Sequence, residues 1–168
     1  MTGFELYLKR HGKAFERYLA TFFEDGSHPD MMRYLYGPLR TFSDNAGKRH
    51  RPLICLLGCE AVGGDPKLAW PSAAAIEHFH TAALIHDDIE DSSLTRRDEP
   101  CMHITEGEGL AVNAGDLALA LVCGTVVDDA GLDDAMKLRV LAELVAMTTR
   151  TIEGQALDIG WARDDRFD

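Results

Sequence analysis

Asp87 and Asp91 stand four residues apart in the segment His86-Asp87-Asp88-Ile89-Glu90-Asp91. On a helix that spacing puts both carboxylates on one face, one turn apart. Like charges so placed repel each other. The C-terminal end of a helix, where the macrodipole is negative, disfavours them further. A hard divalent cation removes both conflicts, since two carboxylates completed by phosphate oxygens and water make a magnesium (Mg2+) site. On charge alone, a solvated acidic helix end explains the segment equally well. The apolar stretch Thr81-Ala82-Ala83-Leu84-Ile85 just before it points instead to a buried helix whose acidic end opens into a cavity.

Two basic clusters match the acidic one. Arg96-Arg97 follow Asp91 by five and six residues, and Lys48-Arg49-His50-Arg51 are expected to open a helix. A helix N-terminus offers free N–H groups and a favourable dipole to an anion. Lys48 and Arg51 beside it would make a diphosphate pocket, arginine being suited to paired phosphate contacts. Singly, each cluster reads as a solvated face. Together with the aspartates they supply two kinds of anion site, one bridged by metal and one directly basic.

The elements that must position these groups are helical, and no alternating strand pattern competes with them. A first helix is expected over residues 3–23, with Phe4, Leu8, Phe15, Leu19 and Phe22 on its apolar side, and a break follows at Gly26 to Pro29. A second covers residues 30–42, interrupted near Gly37-Pro38. Residues 43–47 form a loop, and a third helix runs from Lys48 to a C-cap at Gly63-Gly64. The fourth begins at Pro66 or Pro71 and ends at Asp91; the polar residues 92–109 form a long functional loop. A fifth helix covers residues 110–129. The sixth covers 133–161 and packs through Leu138, Leu141, Leu144, Val145 and Ile152.

The chain has 168 residues, 46% of them apolar, enough for one domain with a core. Its net charge of −11 argues against nucleic-acid binding. Any anionic substrate must therefore be met by clustered cations. No apolar run is expected to reach spanning length, the Ala-rich stretch at 73–85 being broken by Glu77, His78 and His80. The first ten residues lack a signal-peptide pattern, so a cytoplasmic location is the default. Cys55, Cys59, Cys101 and Cys123 show no zinc spacing and are expected to be reduced core residues.

These residues, taken in order, resemble the motifs of the trans-isoprenyl diphosphate synthases. Gly47-Lys48-Arg49-His50-Arg51-Pro52 is similar to that family's GKRxRP, and Glu77 to His80 to its ExxH. Asp87 to Asp91 with Arg96-Arg97 resembles its first aspartate-rich motif. Asn113-Ala114-Gly115-Asp116 and Gly154-Gln155-Ala156-Leu157-Asp158 resemble its GD and GQxxD elements. Residues 1–46 match only as generic helices. The resemblance implies an all-α, antiparallel helical bundle of the isoprenoid-synthase kind, of which residues 1–168 would be the N-terminal half, six or so helices. It implies that Lys48, Arg51, His80 and Arg97 hold isopentenyl diphosphate, that Asp87 and Asp91 bind magnesium, and that Arg96 contacts an allylic diphosphate. Asp87, Asp91 and Arg96 would be the catalytic residues. Gln155, with Asp158, would line the cavity, and His86, Asp88 and Glu90 would stand behind the ligands. His103, Asn113 and Asp116 suit structural hydrogen bonding equally well. The reaction implied is ionisation of the allylic diphosphate and attack by the isopentenyl double bond.

The family's second aspartate-rich motif does not occur in these residues. The expectation is a fragment inactive alone, whose uncovered apolar faces favour a homodimer or other homo-oligomer. In the family, a bulky aromatic four or five residues before the first aspartate closes the product tunnel early. Here those positions are Ala83 and Ala82, with Phe79 a turn deeper as a candidate floor. A product longer than farnesyl, such as geranylgeranyl, follows, and a phenylalanine at position 82 is expected to shorten it. Three other readings compete. An HD-type metal phosphohydrolase would use His86-Asp87 with His50, His78, His80 or His103, but leaves the arginine pairs unexplained. A non-catalytic partner subunit of a heteromeric synthase fits the missing half. A terpene cyclase would have no use for Lys48, Arg51 and Arg97.

Overall fold

The structure, a computed structural model, describes residues 3–23, 26–45 and 47–166, with the side chain of Phe4 outside the described set. Helix α1 (Gly3–Ala20) ends in a short 3-10 turn (Thr21–Phe23). Phe15, Leu19 and Phe23 are buried, as helical spacing requires. Met32–Tyr36 are wound as a π-helix that α2 (Gly37–Asp44) continues. The Gly37 N–H bonds to the carbonyl of Met32, five residues back, and a Cβ at Gly37 would overlap that oxygen. Pro38 follows directly, and the widened turn accommodates a residue that has no N–H to donate to the preceding turn. The expected interruption is thus a widened turn in a continuous helix.

Helix α3 (His50–Ala61) starts two residues later than Lys48. Arg49, at φ 49°, is left-handed and sits at the N-cap, leaving Lys48 in the turn before it. At the other end Gly63 takes φ 85°, and Gly64 donates to the carbonyl of Cys59 at 2.9 Å, a Schellman stop. A 3-10 turn (Pro66–Ala69) leads into α4 (Trp70–Glu90), with Asp91 as its C-cap.

Residues 92–109 are not a structureless loop. Strands β1 (Thr95–Arg96) and β2 (Glu99–Pro100) form a hairpin, Thr95 opposite Pro100 and Arg96 opposite Glu99. Its two-residue turn has Arg97 at φ 56° and Asp98 at φ 67°, the primed type that matches strand twist. Helix α5 (Met102–Thr105), α6 (Glu108–Val127) and α7 (Asp134–Arg163) follow. Asp133 caps α7 by accepting the Met136 N–H at 2.7 Å.

Helices α4 and α6 make the centre. Ala82 and Ile85 pack on Ala111, Ala114 and Ala118, with Phe23, Leu39 and Met102 closing the cluster. Small residues let the two helices approach: a Cβ on Gly115 would overlap the His86 imidazole. By length and composition α6 is apolar enough to cross a membrane, which corrects the expectation that no stretch is; its Ala111, Ala114, Ala118, Val122 and Val126 are buried in this core. A second cluster joins α1, α3 and α4 through Phe15, Leu19, Leu53, Leu56, Ala73 and Ala74. A third joins α4, α6 and α7 through Ala75, Val122, Val126 and Leu144.

Helix α7 packs differently from expectation. Leu144 is buried and Leu141 half-buried, but Leu138, Val145 and Ile152 are 69%, 56% and 56% exposed. Its packing side is Val140, Leu141, Leu144 and Met147. The cysteines are free; Cys101 is buried, Cys55 and Cys59 are half-buried, and Cys123 is exposed, against the expectation of a core residue.

Candidate active site

The end of α4 turns the chain back on itself. Ser92 is left-handed at φ 52°, and the Ser93 N–H bonds to the carbonyl of Asp88 at 2.9 Å. The following hairpin then delivers Arg96 to the helix end. Its Nε donates to both carboxylate oxygens of Asp88, at 2.8 and 2.9 Å, and its Nη2 reaches Asp87 Oδ2 at 3.3 Å. Asp88 is 2% exposed and Asp87 37%. The bond to Asp88 is the largest influence raising the Arg96 pKa above its ordinary value, against the burial that lowers it.

Asp87 also meets α7. Gln155 Nε2 donates to Asp87 Oδ1 and to Glu90 Oε2, each at 3.3 Å. Asp91 and Asp158 are exposed. Asp87 and Asp91 thus offer hard oxygen donors with no nitrogen or sulfur among them, a donor set that suits magnesium. Among the described residues no group of three or more His, Cys, Asp or Glu side chains could by itself hold a metal. Two protein carboxylates completed by diphosphate oxygens and water fit that fact. His86 faces away, toward Asp116 on α6, at 3.7 Å.

Two turns back along α4 lies a cavity of about 330 Å³ lined by Gly47, Lys48, Arg49, Arg51, His80 and Arg97, with His50 and Glu77. Arg51 Nη1 lies 3.2 Å from His80 Nε2. A guanidinium can only donate, so this nitrogen of His80 carries the lone pair and the ring is neutral. Burial first, then the charges of Arg51, Arg97, Arg96 and Arg49, bring its pKa down to about 4. Arg97 donates to the carbonyl of Asn45 at 2.8 Å, tying the hairpin to the loop before α3. Gly47, at φ 77°, packs against its guanidinium.

The structure therefore gathers Lys48, Arg51, His80 and Arg97 in one place, and Asp87, Arg96 and Gln155 in another, with Asp91 one turn from Asp87. Among the residues expected to set product length, Phe79 and Ala83 are half-buried, on the α4 face that carries Asp87. Phe79 packs where α4, α6 and α7 meet. Ala82 is fully enclosed against α6. Sequence reasoning missed the buried role of Arg49, which ion-pairs with Glu77; a run of four basic residues carries no sign of which one turns inward.

The molecule is thus an all-α bundle in which one core helix ends in paired carboxylates and borders a cationic cavity. The chain belongs to the polyprenyl synthetase family, whose profile matches residues 32–168. It is 44% identical over 122 residues to the short chain isoprenyl diphosphate synthase of Methanothermobacter thermautotrophicus, covering 73% of this chain and 36% of that one. It is 42% identical over 123 residues to geranylgeranyl pyrophosphate synthase 9, chloroplastic, of Arabidopsis thaliana, covering 70% and 34%. The structure superposes on that of a geranylgeranyl pyrophosphate synthetase from Pyrococcus horikoshii with a TM-score of 0.86 at 33% identity, over 96% of this chain and 49% of that one. The chain thus spans about a third of the length of these curated relatives and half that of the solved one.

Proposed function

We propose that this chain carries the diphosphate-binding part of a magnesium-dependent prenyltransferase, which condenses isopentenyl diphosphate with an allylic diphosphate. The observation that carries the reading is the presence of two distinct anion sites along α4, a cationic cavity at His80 and paired carboxylates two turns further on at Asp87 and Asp91. Lys48, Arg51, His80 and Arg97 line a cavity without a metal ligand set, and they suit isopentenyl diphosphate. Asp87 and Asp91 would hold magnesium against the allylic diphosphate, with Arg96 and Gln155 beside them. When bound, magnesium would offset the charge that develops on the departing diphosphate. Arg96, fixed by Asp88, presents its remaining donors to the same oxygens. As the allylic carbon–oxygen bond breaks, the isopentenyl double bond attacks that carbon, and the proton then lost passes to the released diphosphate. Apolar walls must keep water from the cation.

The product is read as longer than farnesyl, of geranylgeranyl type, because Ala83 puts only a methyl group on the α4 face between Phe79 and Asp87. Assembly as a homodimer or other homo-oligomer belongs to the same proposal. Leu138, Val145, Ile152 and Ile159 recur every seven residues along α7 and are all exposed, an apolar stripe suited to a helical partner. Titration of isopentenyl diphosphate in the presence of a chelator tests the division of labour. Metal-free binding that Lys48→Ala/Arg51→Ala abolishes supports it; binding that requires magnesium contradicts it.

A further inference from the structure

Arg49 is the one residue of the Lys48-Arg49-His50-Arg51 run that is buried, its side chain 7% exposed. Its backbone is left-handed, at φ 49°. The guanidinium is committed on two sides. Nη1 donates to Glu77 Oε1 at 2.5 Å, and Nη2 to the carbonyl of Ser43 at 2.6 Å. Glu77, 3% exposed, lies on α4 one turn before His80. A lone carboxylate in the wall of an anion cavity would repel the anion; here Arg49 neutralises it.

We infer that Arg49 and Glu77 are positioning residues for the cationic cavity: the buried pair clamps the loop before α3 onto α4, so that Lys48 and Arg51 from the loop side meet His80 from the helix. The inference rests on the reading of that cavity as a diphosphate site. The connection from the last turn of α2 to the start of α3 is held at three points. The Ser43 carbonyl is bound by Arg49, the Asn45 carbonyl by Arg97, and Arg49 itself by Glu77. Only the Arg97 contact uses a residue whose own side chain would also serve the ligand. Arg49 and Glu77 contribute no net charge as a pair, so their effect on an anion is exerted through geometry. The left-handed φ at Arg49 is a further sign that the site is built, since a bulky residue adopts it only where its surroundings hold it there.

Removing one partner leaves the other charged and buried, which endangers folding. The test therefore uses Arg49→Met/Glu77→Leu, which replaces the pair with apolar side chains, and Glu77→Gln, which keeps an oxygen for Arg49. Inorganic pyrophosphate is titrated calorimetrically into the 168-residue chain in chelator, with helicity recorded by circular dichroism. The expected result is that the folded Arg49→Met/Glu77→Leu chain binds about tenfold more weakly or worse, the size typical for loss of groups that orient a ligand shell, while Glu77→Gln stays close to the parent. A folded double variant that binds as tightly as the parent overturns the inference. Lys48→Ala/Arg51→Ala separates the two claims. If it weakens binding while the pair variants do not, only the positioning role fails. If it leaves binding unchanged, the cavity itself is misread and the inference falls with it.

Discussion

The guanidinium of Arg96 grips the buried carboxylate of Asp88 through Nε, 2.8 and 2.9 Å from its two oxygens, and through Nη2, 2.8 Å from Oδ1; the same Nη2 reaches the more open Asp87 at 3.3 Å. Two adjacent aspartates on α4 thus do different work: buried Asp88 fixes the arginine, and the partly exposed Asp87 takes only the longer contacts from Arg96 and Gln155. Asp88→Ala removes charge-assisted hydrogen bonds from a buried acceptor and should lower stability by roughly 1.5–3 kcal/mol. Urea unfolding measures this, and Asp88→Asn, which keeps one acceptor oxygen, should lose less.

Burial and the nearby arginines also set a pH dependence. Burial, then Arg49, brings the His78 pKa to about 3, and that of His80 is about 4. Both rings are neutral in the folded chain, while in the unfolded chain they gain protons near pH 6.5. Their contribution to stability is complete above that pH and is lost as pH falls from 6.5 toward 4 and then 3. The melting temperature should decline across that window, and His80→Gln should remove part of the decline. A flat profile from 6.5 to 4 in the parent would contradict the assignment.

Position 83, rather than 82, is where bulk should shorten a prenyl product. Ala83 shares the face of Phe79 and Asp87, while Ala82 is enclosed against Ala111, Ala114 and Ala118. In a full-length synthase that contains these residues, Ala83→Phe should shift products toward shorter chains in chromatography. Ala82→Phe should instead cost about 1–3 kcal/mol of stability through overpacking. Equal product shifts from both would remove the distinction.

Gly115→Ala tests the close approach of α4 and α6. Its methyl group would overlap the His86 ring, so about 1–3 kcal/mol of destabilisation is expected. His86→Ala in the same chain should restore part of the loss, read from denaturant midpoints.

Helix order, the Asp87/Asp91 spacing and the cationic residues were legible because helical periodicity and charge clustering are local signals. What was not legible depends on tertiary context. The hairpin at 95–100 has two-residue strands, too short for an alternation pattern, and its turn uses Arg97-Asp98 where Asn-Gly would have announced it. The inward turn of Arg49 follows from a left-handed backbone that no neighbouring glycine marks at that position. Helix α7 carries apolar residues on more than one face, so periodicity could not say that Val140 and Met147 pack while Leu138 and Val145 do not.

Asp87 and Asp91 are proposed to hold an allylic diphosphate through magnesium. Calorimetric titration of farnesyl diphosphate, with and without magnesium, into the parent chain and into Asp87→Ala/Asp91→Ala tests it most directly. Binding that needs magnesium and disappears in the double variant is the predicted result. Binding that is indifferent to magnesium, or that survives loss of both carboxylates, would contradict it.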